Sequence, residues 1–183
     1  RAKLPKAKAS FANSSGVFLG SAFHFDLLRP GAALYGVAPR AGEANPMAPV
    51  VRLSARVLRL ATLEAGTAVG YNGRFTTAAP TRIATVSIGY ADGFFRALAG
   101  RANAGFAGCK LPIVGAVSMD MITVDVSALP EGVLHEGDFV DVIGGDADDV
   151  DTLARAAGTI GYEILTSLGA RHQRRWISHL SAF

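Results

Sequence analysis

Residues 29–36 combine a fixed positive charge with a glycine at a predicted junction between a strand and a helix. They read Arg-Pro-Gly-Ala-Ala-Leu-Tyr-Gly and follow a strand expected at Leu27 and Leu28. Glycine at such a junction lets backbone N–H groups approach an anion, and arginine is always protonated. Upstream, residues 12–16 read Ala-Asn-Ser-Ser-Gly, which alone is typical of a turn. On these residues alone, an anion-binding junction and an ordinary surface arginine both remain open.

Three further stretches carry groups that can move a proton or line a pocket. Tyr71 follows Val69-Gly70, and a phenol with an ordinary pKa of about 10 acts near neutral pH only when its surroundings tune it. Residues 89–96 read Gly-Tyr-Ala-Asp-Gly-Phe-Phe-Arg, and residues 118–121 read Ser-Met-Asp-Met. Taken singly, they indicate a loop aromatic, a strand that ends in a glycine turn, and a core methionine.

Together and in this order, these stretches resemble the C-terminal half of the alanine racemases, enzymes that use pyridoxal 5′-phosphate (PLP). The resemblance implies that Arg29 faces the pyridine nitrogen of PLP, and that Ser14 binds its phosphate with the backbone N–H groups of Gly31 and Ala32. An arginine at that place donates a hydrogen bond and leaves the ring nitrogen unprotonated, which makes PLP a weaker electron sink and discourages transamination.

The same resemblance assigns roles on the substrate side. Tyr71 is the base on one face of the substrate, and a lysine is the base on the other. Tyr90 lines the narrow access to the site, and Arg96 belongs to a polar network behind it. The main chain of Met119 meets the substrate carboxylate, and Asp120 is its neighbour in this pair.

The lysine that carries PLP in this family has no counterpart here. It lies in a Lys-Ala-Asn-Ala-Tyr-Gly type of string, and none of Lys3, Lys6, Lys8 and Lys110 has that context. A further phosphate contact, a tyrosine in some members, falls on Ala170, so Arg171 or a water are the alternatives there. Because family chains are about twice this length, we expect a C-terminal piece of such an enzyme, and because it lacks the PLP lysine we expect it to be inactive alone.

The elements that must position these residues divide at a linker with three prolines, residues 39–49. We expect residues 1–46 to be the last part of a PLP-binding (β/α)₈ barrel, unstable alone because strand edges and apolar faces stay open. Residues 47–183 are expected to form a mainly β domain. Alternation of apolar and polar residues and the turn residues between runs predict its strands, at 50–63, 82–89, 111–117, 121–126, 138–143 and 174–177.

Two short helices are predicted near the end, at residues 149–158 and 161–168. The acidic cluster of Asp146, Asp148, Asp149 and Asp151 lacks calcium-loop spacing and is expected to cap the first of them.

Composition excludes several other classes. The net charge is +3, with lysines at the start and arginines near the end, which does not predict a nucleic-acid partner. No apolar run reaches the ~20 residues that span a bilayer, and nothing at the start reads as a signal peptide, so no membrane partner and a cytoplasmic location are expected. A single cysteine, Cys109, cannot form an internal disulfide. The four histidines have no ligand spacing with it, so no metal is expected.

Three functions remain open. The first is racemisation of L- and D-alanine by two-base proton transfer, which supplies D-alanine for peptidoglycan of the bacterial cell wall. The partners would be alanine, the N-terminal half of the barrel, and a second copy in a head-to-tail homodimer. The second is a racemase for serine or a broader set of amino acids. The third is a non-catalytic β module for dimerisation or regulation, which the absent lysine favours for this chain alone.

Overall fold

The N-terminal part of the chain contains one small α/β unit. The computed structural model describes residues 7–70 and 73–177. In it, β1 (Ser10–Asn13) and β2 (Leu27–Arg29) pair in parallel across the short helix α1 (Ser14–Val17). Parallel neighbours require such a crossover between them. The Asn13 side chain accepts a hydrogen bond from the Gly16 N–H at 3.0 Å and so caps α1, where the sequence alone indicated a turn.

A closed antiparallel barrel of six strands follows the linker and confirms the mainly β domain. The strands after the linker are β3 (Leu53–Leu63), β4 (Ala68–Val69), β5 (Phe75–Thr76), β6 (Thr81–Val86), β7 (Asn103–Phe106), β8 (Cys109–Val114), β9 (Ile122–Asp125) and β10 (Phe139–Ile143). Around the barrel the order is β10, β3, β6, β9, β8, β7, and pairing of β7 with β10 closes it. The strands β4 and β5 form a separate hairpin.

The core fills the barrel and continues under two helices. Inward side chains such as Val86, Leu111, Ile113 and Val140 are almost fully buried, and each contributes about 1.5–3 kcal/mol on burial. The helices α2 (Val150–Ala157) and α3 (Gly161–Ser167) pack against this core. Asp149 caps α2 by accepting from the Thr152 N–H, so one member of the acidic cluster has the predicted role.

One predicted strand is absent from the structure, and one strand of the barrel was not predicted. Residues 174–177 are irregular rather than a strand; the Arg174 side chain donates to the carbonyls of Leu168 and Gly169. The strand β7 was not predicted, because its asparagine and glycine have low β propensity. Gly105 is required there because a Cβ would lie 2.1 Å from the backbone carbon of Asp146.

The N-terminal part is joined to α2 and α3. Asp151 accepts hydrogen bonds from the Ala38 N–H at 2.8 Å and from the Asn45 side chain at 3.2 Å. Val37 is buried, and a Cβ on Gly161 would lie 2.8 Å from it. These contacts join residues before and within the linker to residues after it. The boundary between residues 46 and 47 stays a prediction.

An apolar face of the N-terminal part is open to solvent. Phe11 is 64% exposed, and its ring stacks on Phe23 at 6.5 Å and meets Phe25 edge-on at 6.2 Å. Leu34, in the turn after β2, is also exposed, at 63%. Such a face on a two-stranded sheet needs a covering layer. Across the described ranges, no helix has the length and apolar character to cross a membrane.

Candidate active site

Ser14 organises the turn that follows β2. It is 2% exposed, and its Oγ accepts hydrogen bonds from the Gly31 N–H at 2.9 Å and the Ala33 N–H at 3.2 Å. A hydroxyl has two acceptor positions and one donor hydrogen. Both acceptor positions are therefore used, and no acceptor among the described residues takes the hydroxyl hydrogen, which can donate to another group.

The backbone around this turn offers one more donor. Ala32 begins a 3₁₀ helix (Ala32–Tyr35), and within residues 7–70 and 73–177 its N–H donates to no acceptor. The Gly31 N–H is instead engaged by Ser14, and open space surrounds the position of a Cβ on Gly31. The Ser14 hydroxyl and the Ala32 N–H are two donors in one turn, a pair suited to an anion (the anion cradle).

Arg29 lies at the same edge of the small sheet. Asn13 and Arg29 are register partners at the ends of β1 and β2, and the carboxyl ends of parallel strands are where ligands bind in α/β sheets. The Arg29 Nη1 donates to the Ser10 Oγ at 2.5 Å, and that hydroxyl donates to the Leu27 carbonyl at 3.0 Å. Sequence reasoning missed Ser10, because only the parallel register places it beside β2.

Two turns of the β domain form a second cluster. The Tyr90 N–H donates to the Ser118 carbonyl and the Ala91 N–H donates to the Met119 carbonyl, each at 3.0 Å. A Cβ on Gly89 would lie 2.3 Å from the Met119 carbonyl oxygen. The turn at 89–93 and the turn at 118–121 are therefore held in close backbone contact.

The tip of the turn at 118–121 presents two donors. The Ser118 hydroxyl donates to the Met121 carbonyl at 2.7 Å and accepts from the Met121 N–H at 3.0 Å, which closes the turn. In the part of the chain that the structure describes, neither the Met119 N–H nor the Asp120 N–H has an acceptor. Two adjacent free N–H groups can bind a carboxylate.

Tyr90 and Arg96 lie together beside this turn. The guanidinium carbon of Arg96 is 5.9 Å from the centre of the Tyr90 ring, within cation–π range. Tyr90 is 42% exposed, so part of its side chain is open to solvent.

Arg171 connects the two turns. Its Nη1 lies 2.8 Å from the Asp120 Oδ1 and 3.1 Å from the Asp92 Oδ1. The hydrogen bond with Asp120 and the charge of Asp92 raise the pKa of Arg171 above its ordinary value. Sequence reasoning offered Arg171 as an alternative phosphate contact, whereas the structure pairs it with the Asp92 and Asp120 carboxylates of the second cluster. Asp92 was missed, although it stands within the stretch 89–96.

Tyr71 lies outside the described residues. Its neighbour Val69 is buried, and a Cβ on Gly70 would lie 3.1 Å from the Ala116 nitrogen. The hairpin of β4 and β5 is thus anchored beside the segment that leads to the turn at 118–121.

The predicted site residues form two groups. Ser14, Arg29, Gly31 and Ala32 belong to the first, and Tyr90, Arg96, Met119 and Asp120 belong to the second. Among described residues, no hydrogen bond or ion pair joins the groups. The same part of the chain holds no group of three or more histidine, cysteine or acidic residues placed to bind a metal ion.

Two family models match the chain. The alanine racemase C-terminal domain matches residues 50–176, and the alanine racemase N-terminal domain matches residues 1–39. The first covers most of the chain and includes the whole six-stranded barrel.

Individual relatives agree. The chain is 53% identical over 173 residues to the catabolic alanine racemase of Agrobacterium fabrum, covering 94% of this chain and 44% of that protein. It is 49% identical over 175 residues to alanine racemase of Rhodospirillum rubrum, covering 96% of this chain and 46% of the relative. The chain therefore spans about half the length of the curated relatives that it matches.

Solved structures show the same fold. The Bartonella henselae alanine racemase, solved with covalently bound pyridoxal phosphate, is 48% identical with a TM-score of 0.86, over 96% of this chain and 48% of that one. The biosynthetic alanine racemase of Pseudomonas aeruginosa is 40% identical with a TM-score of 0.86, over 97% of this chain and 49% of that one. On the family models, the identities and the shared fold, the chain belongs to the alanine racemase family.

Proposed function

We propose that this chain is the C-terminal part of a PLP-dependent racemase that interconverts L- and D-alanine. The observation that carries the proposal is the buried Ser14 hydroxyl, whose acceptor positions are filled by two backbone N–H groups. That arrangement leaves a hydroxyl hydrogen for a phosphate oxygen, beside Arg29 at the ends of two parallel strands.

The residues present fit PLP. Ser14 and the Ala32 N–H would hold the phosphate, and the Ser10 hydroxyl would orient Arg29 toward the ring nitrogen. When bound, PLP supplies an electron-accepting ring that acidifies the Cα–H bond of an amino acid. Arg29 cannot give up its proton, so it limits the electron withdrawal and favours return of the proton over other reactions. Replacing Arg29 by methionine is expected to raise the yield of transaminated product per turnover.

Tyr71 moves the proton on one face of the substrate. A phenol can do so at neutral pH when a nearby positive charge favours its ionised form. The base on the opposite face is a lysine in the preceding half of the barrel, and this division leaves the 183-residue chain inactive by itself.

The turn at 118–121 binds the substrate carboxylate. The free N–H groups of Met119 and Asp120 supply the donors, and the turn is held rigidly by its backbone contacts to residues 89–93. Tyr90, with Arg96 beside its ring, borders the access to the site. Asp120 lies within this carboxylate-binding turn.

The open apolar face around Phe11 is where the preceding half of the barrel packs. In a head-to-tail homodimer, Arg29 and Ser14 serve one site while Tyr71 and Met119 serve the other. The absence of a hydrogen bond or ion pair between the described residues of the Ser14 group and those of the Met119 group supports this division. The boundary between the two parts lies at residues 46 and 47. A cytoplasmic enzyme of this kind supplies D-alanine for peptidoglycan.

The test uses the complete racemase, with the preceding half present, and compares Tyr71→Phe with Tyr162→Phe. Tyr162 lies exposed on α3 and is a matched control. Loss of an acid–base group should lower kcat about 10²–10⁴-fold in both directions, while the control should stay near the unaltered protein. Equal rates for the two variants would contradict the role of Tyr71. Measuring L-serine beside L-alanine in the same assay decides the breadth of substrate.

A simpler test separates an enzyme part from a non-catalytic module. The chain alone, mixed with PLP and then dialysed to remove free PLP, should retain no yellow absorbance, whereas the chain together with the preceding half should retain it. A complete protein that loses its colour on dialysis and is inactive would favour the non-catalytic module.

A further inference from the structure

Arg171 links the turn at 89–93 to the turn at 118–121, and the function proposed above gives it no role. One guanidinium nitrogen lies within 3.1 Å of the carboxylates of both Asp92 and Asp120. Asp120 is the residue next to Met119, and its side chain is half exposed on the turn at 118–121. Its charge therefore lies close to the backbone donors of that turn.

The Asp120 carboxylate would repel the amino-acid carboxylate that is proposed to bind this turn. The N–H groups of Met119 and Asp120 are proposed to receive the carboxylate of an amino acid, which brings a second negative charge near the first. Like charges at such short range repel unless a cation compensates one of them. Arg171 is the cation that the structure places on Asp120.

Arg171 is itself held from the other side. Asp92 is only 9% exposed, its Oδ1 contacts Arg171, and its Oδ2 accepts from the Gly89 N–H at 2.9 Å. His172 Nε2 donates to the Asp92 carbonyl at 2.7 Å and fixes the chain next to Arg171. The guanidinium is thus fixed relative to the turn at 89–93.

We propose that Arg171 is a positioning residue that neutralises Asp120 and so lets the turn at 118–121 accept an amino-acid carboxylate. The inference rests on the proposed racemase function, since it takes this carboxylate to be the substrate's. The ion pair with Asp92 fixes the position of the Arg171 guanidinium, and the ion pair with Asp120 neutralises the charge of that carboxylate.

The test measures KM and kcat for alanine in both directions with the complete racemase. Arg171→Met should raise KM at least about tenfold while kcat changes by less than about threefold, because the lost interaction acts on substrate binding. Adding Asp120→Asn to Arg171→Met should return KM to within about threefold of the unaltered enzyme, since it removes the uncompensated charge. A purely structural defect would not be reversed in this way.

Arg174→Met is the matched control. Arg174 lies in the same basic segment, and its recorded side-chain hydrogen bonds go to the carbonyls of Leu168 and Gly169 rather than to a carboxylate. Its KM should stay within about twofold of the unaltered enzyme. Should Arg171→Met fail to fold, Arg171→Lys is used instead. Because lysine carries a compact charge in place of the planar guanidinium, we expect Arg171→Lys to raise KM, and we expect the added Asp120→Asn to lower KM again.

The outcomes separate the two proposals. If the unaltered enzyme racemises alanine but Arg171→Met leaves KM unchanged, or raises it without reversal by Asp120→Asn, the role of Arg171 is overturned and the racemase function stands. A changed PLP absorption spectrum in Arg171→Met would place this residue in the cofactor group and would also overturn the inference. If the complete unaltered protein does not racemise alanine, the proposed function fails first.

Discussion

Replacing Ser14 by alanine tests the anion cradle directly. The change removes one oxygen that accepts from the N–H groups of Gly31 and Ala33 and that has a hydrogen left to donate. Two separate effects should follow, one on the protein without PLP and one on its affinity for PLP.

The first effect comes from the N–H groups left without an acceptor. Ala33 is buried, so its orphaned N–H costs about 1–3 kcal/mol, whereas Gly31 is exposed and water can replace Ser14 there. The second effect comes from a hydrogen bond to a charged phosphate. Such a bond contributes about 1.5–3 kcal/mol, and at about 1.4 kcal/mol per factor of ten its loss weakens PLP binding about 10- to 150-fold.

The assay titrates PLP into the complete protein and follows its absorbance, and it compares Ser14→Ala with Ser15→Ala. Ser15 is the next residue, and no hydrogen bond of its hydroxyl is recorded within the described part of the chain. Hydrogen exchange of the amides at residues 31–33 measures the first effect without PLP. Equal PLP affinity and equal exchange rates for the two variants would refute the assignment of Ser14.

Three further changes test the supporting structure. Gly89→Ala should destabilise the β domain by about 1–3 kcal/mol in urea unfolding, because a Cβ there meets a carbonyl oxygen at 2.3 Å, whereas Gly169→Ala, with nothing within 4 Å, should not. Asp151→Ala should speed proteolysis within residues 36–48, because Asp151 is the acceptor for the Ala38 N–H and the Asn45 side chain. An unchanged digestion pattern would contradict this anchoring role. Asp141→Asn should lower the free energy of unfolding by about 1–3 kcal/mol in the urea assay. The Asp141 carboxylate is 4% exposed and accepts hydrogen bonds from Arg52, Ser54 and the Asp146 N–H, and the substitution weakens them. Glu43→Gln, in an exposed ion pair, should change stability by less than about 0.5 kcal/mol, and equal losses for Asp141 and Glu43 would contradict the distinction.

The mainly β domain could be predicted because its signals are local. Alternation along residues 50–63 and the spacing of Val150, Leu153 and Ala154 on the buried face of α2 arise from neighbours in sequence. The types of these elements were therefore predictable, with their ends correct to within a few residues. The predicted strand at 111–117 ends at Val114, because Gly115 has a φ of +72° and leaves the extended conformation. The cap predicted from the acidic cluster involves Asp149 and the helix that directly follows it, so it too is a local feature.

The candidate site was only partly predictable. The sequence motifs indicated Ser14, Arg29, Tyr90 and Met119, and the chain's alanine racemase family followed from them. They did not indicate that the Ser14 oxygen accepts from two backbone groups, since that depends on how residue 14 lies against residues 31–33.

The sequence alone determined the residue types that can bind an anion, the periodicity of most barrel strands and the family to which the chain belongs. Tertiary structure decided the pairing of Ser10 with Arg29, the closure of the barrel through β7, and the Asp92–Arg171–Asp120 link. The physical reason is range. Periodicity reports interactions within a few residues, whereas these contacts join residues 19 to 79 apart, and only strand register and close backbone packing set which of them meet.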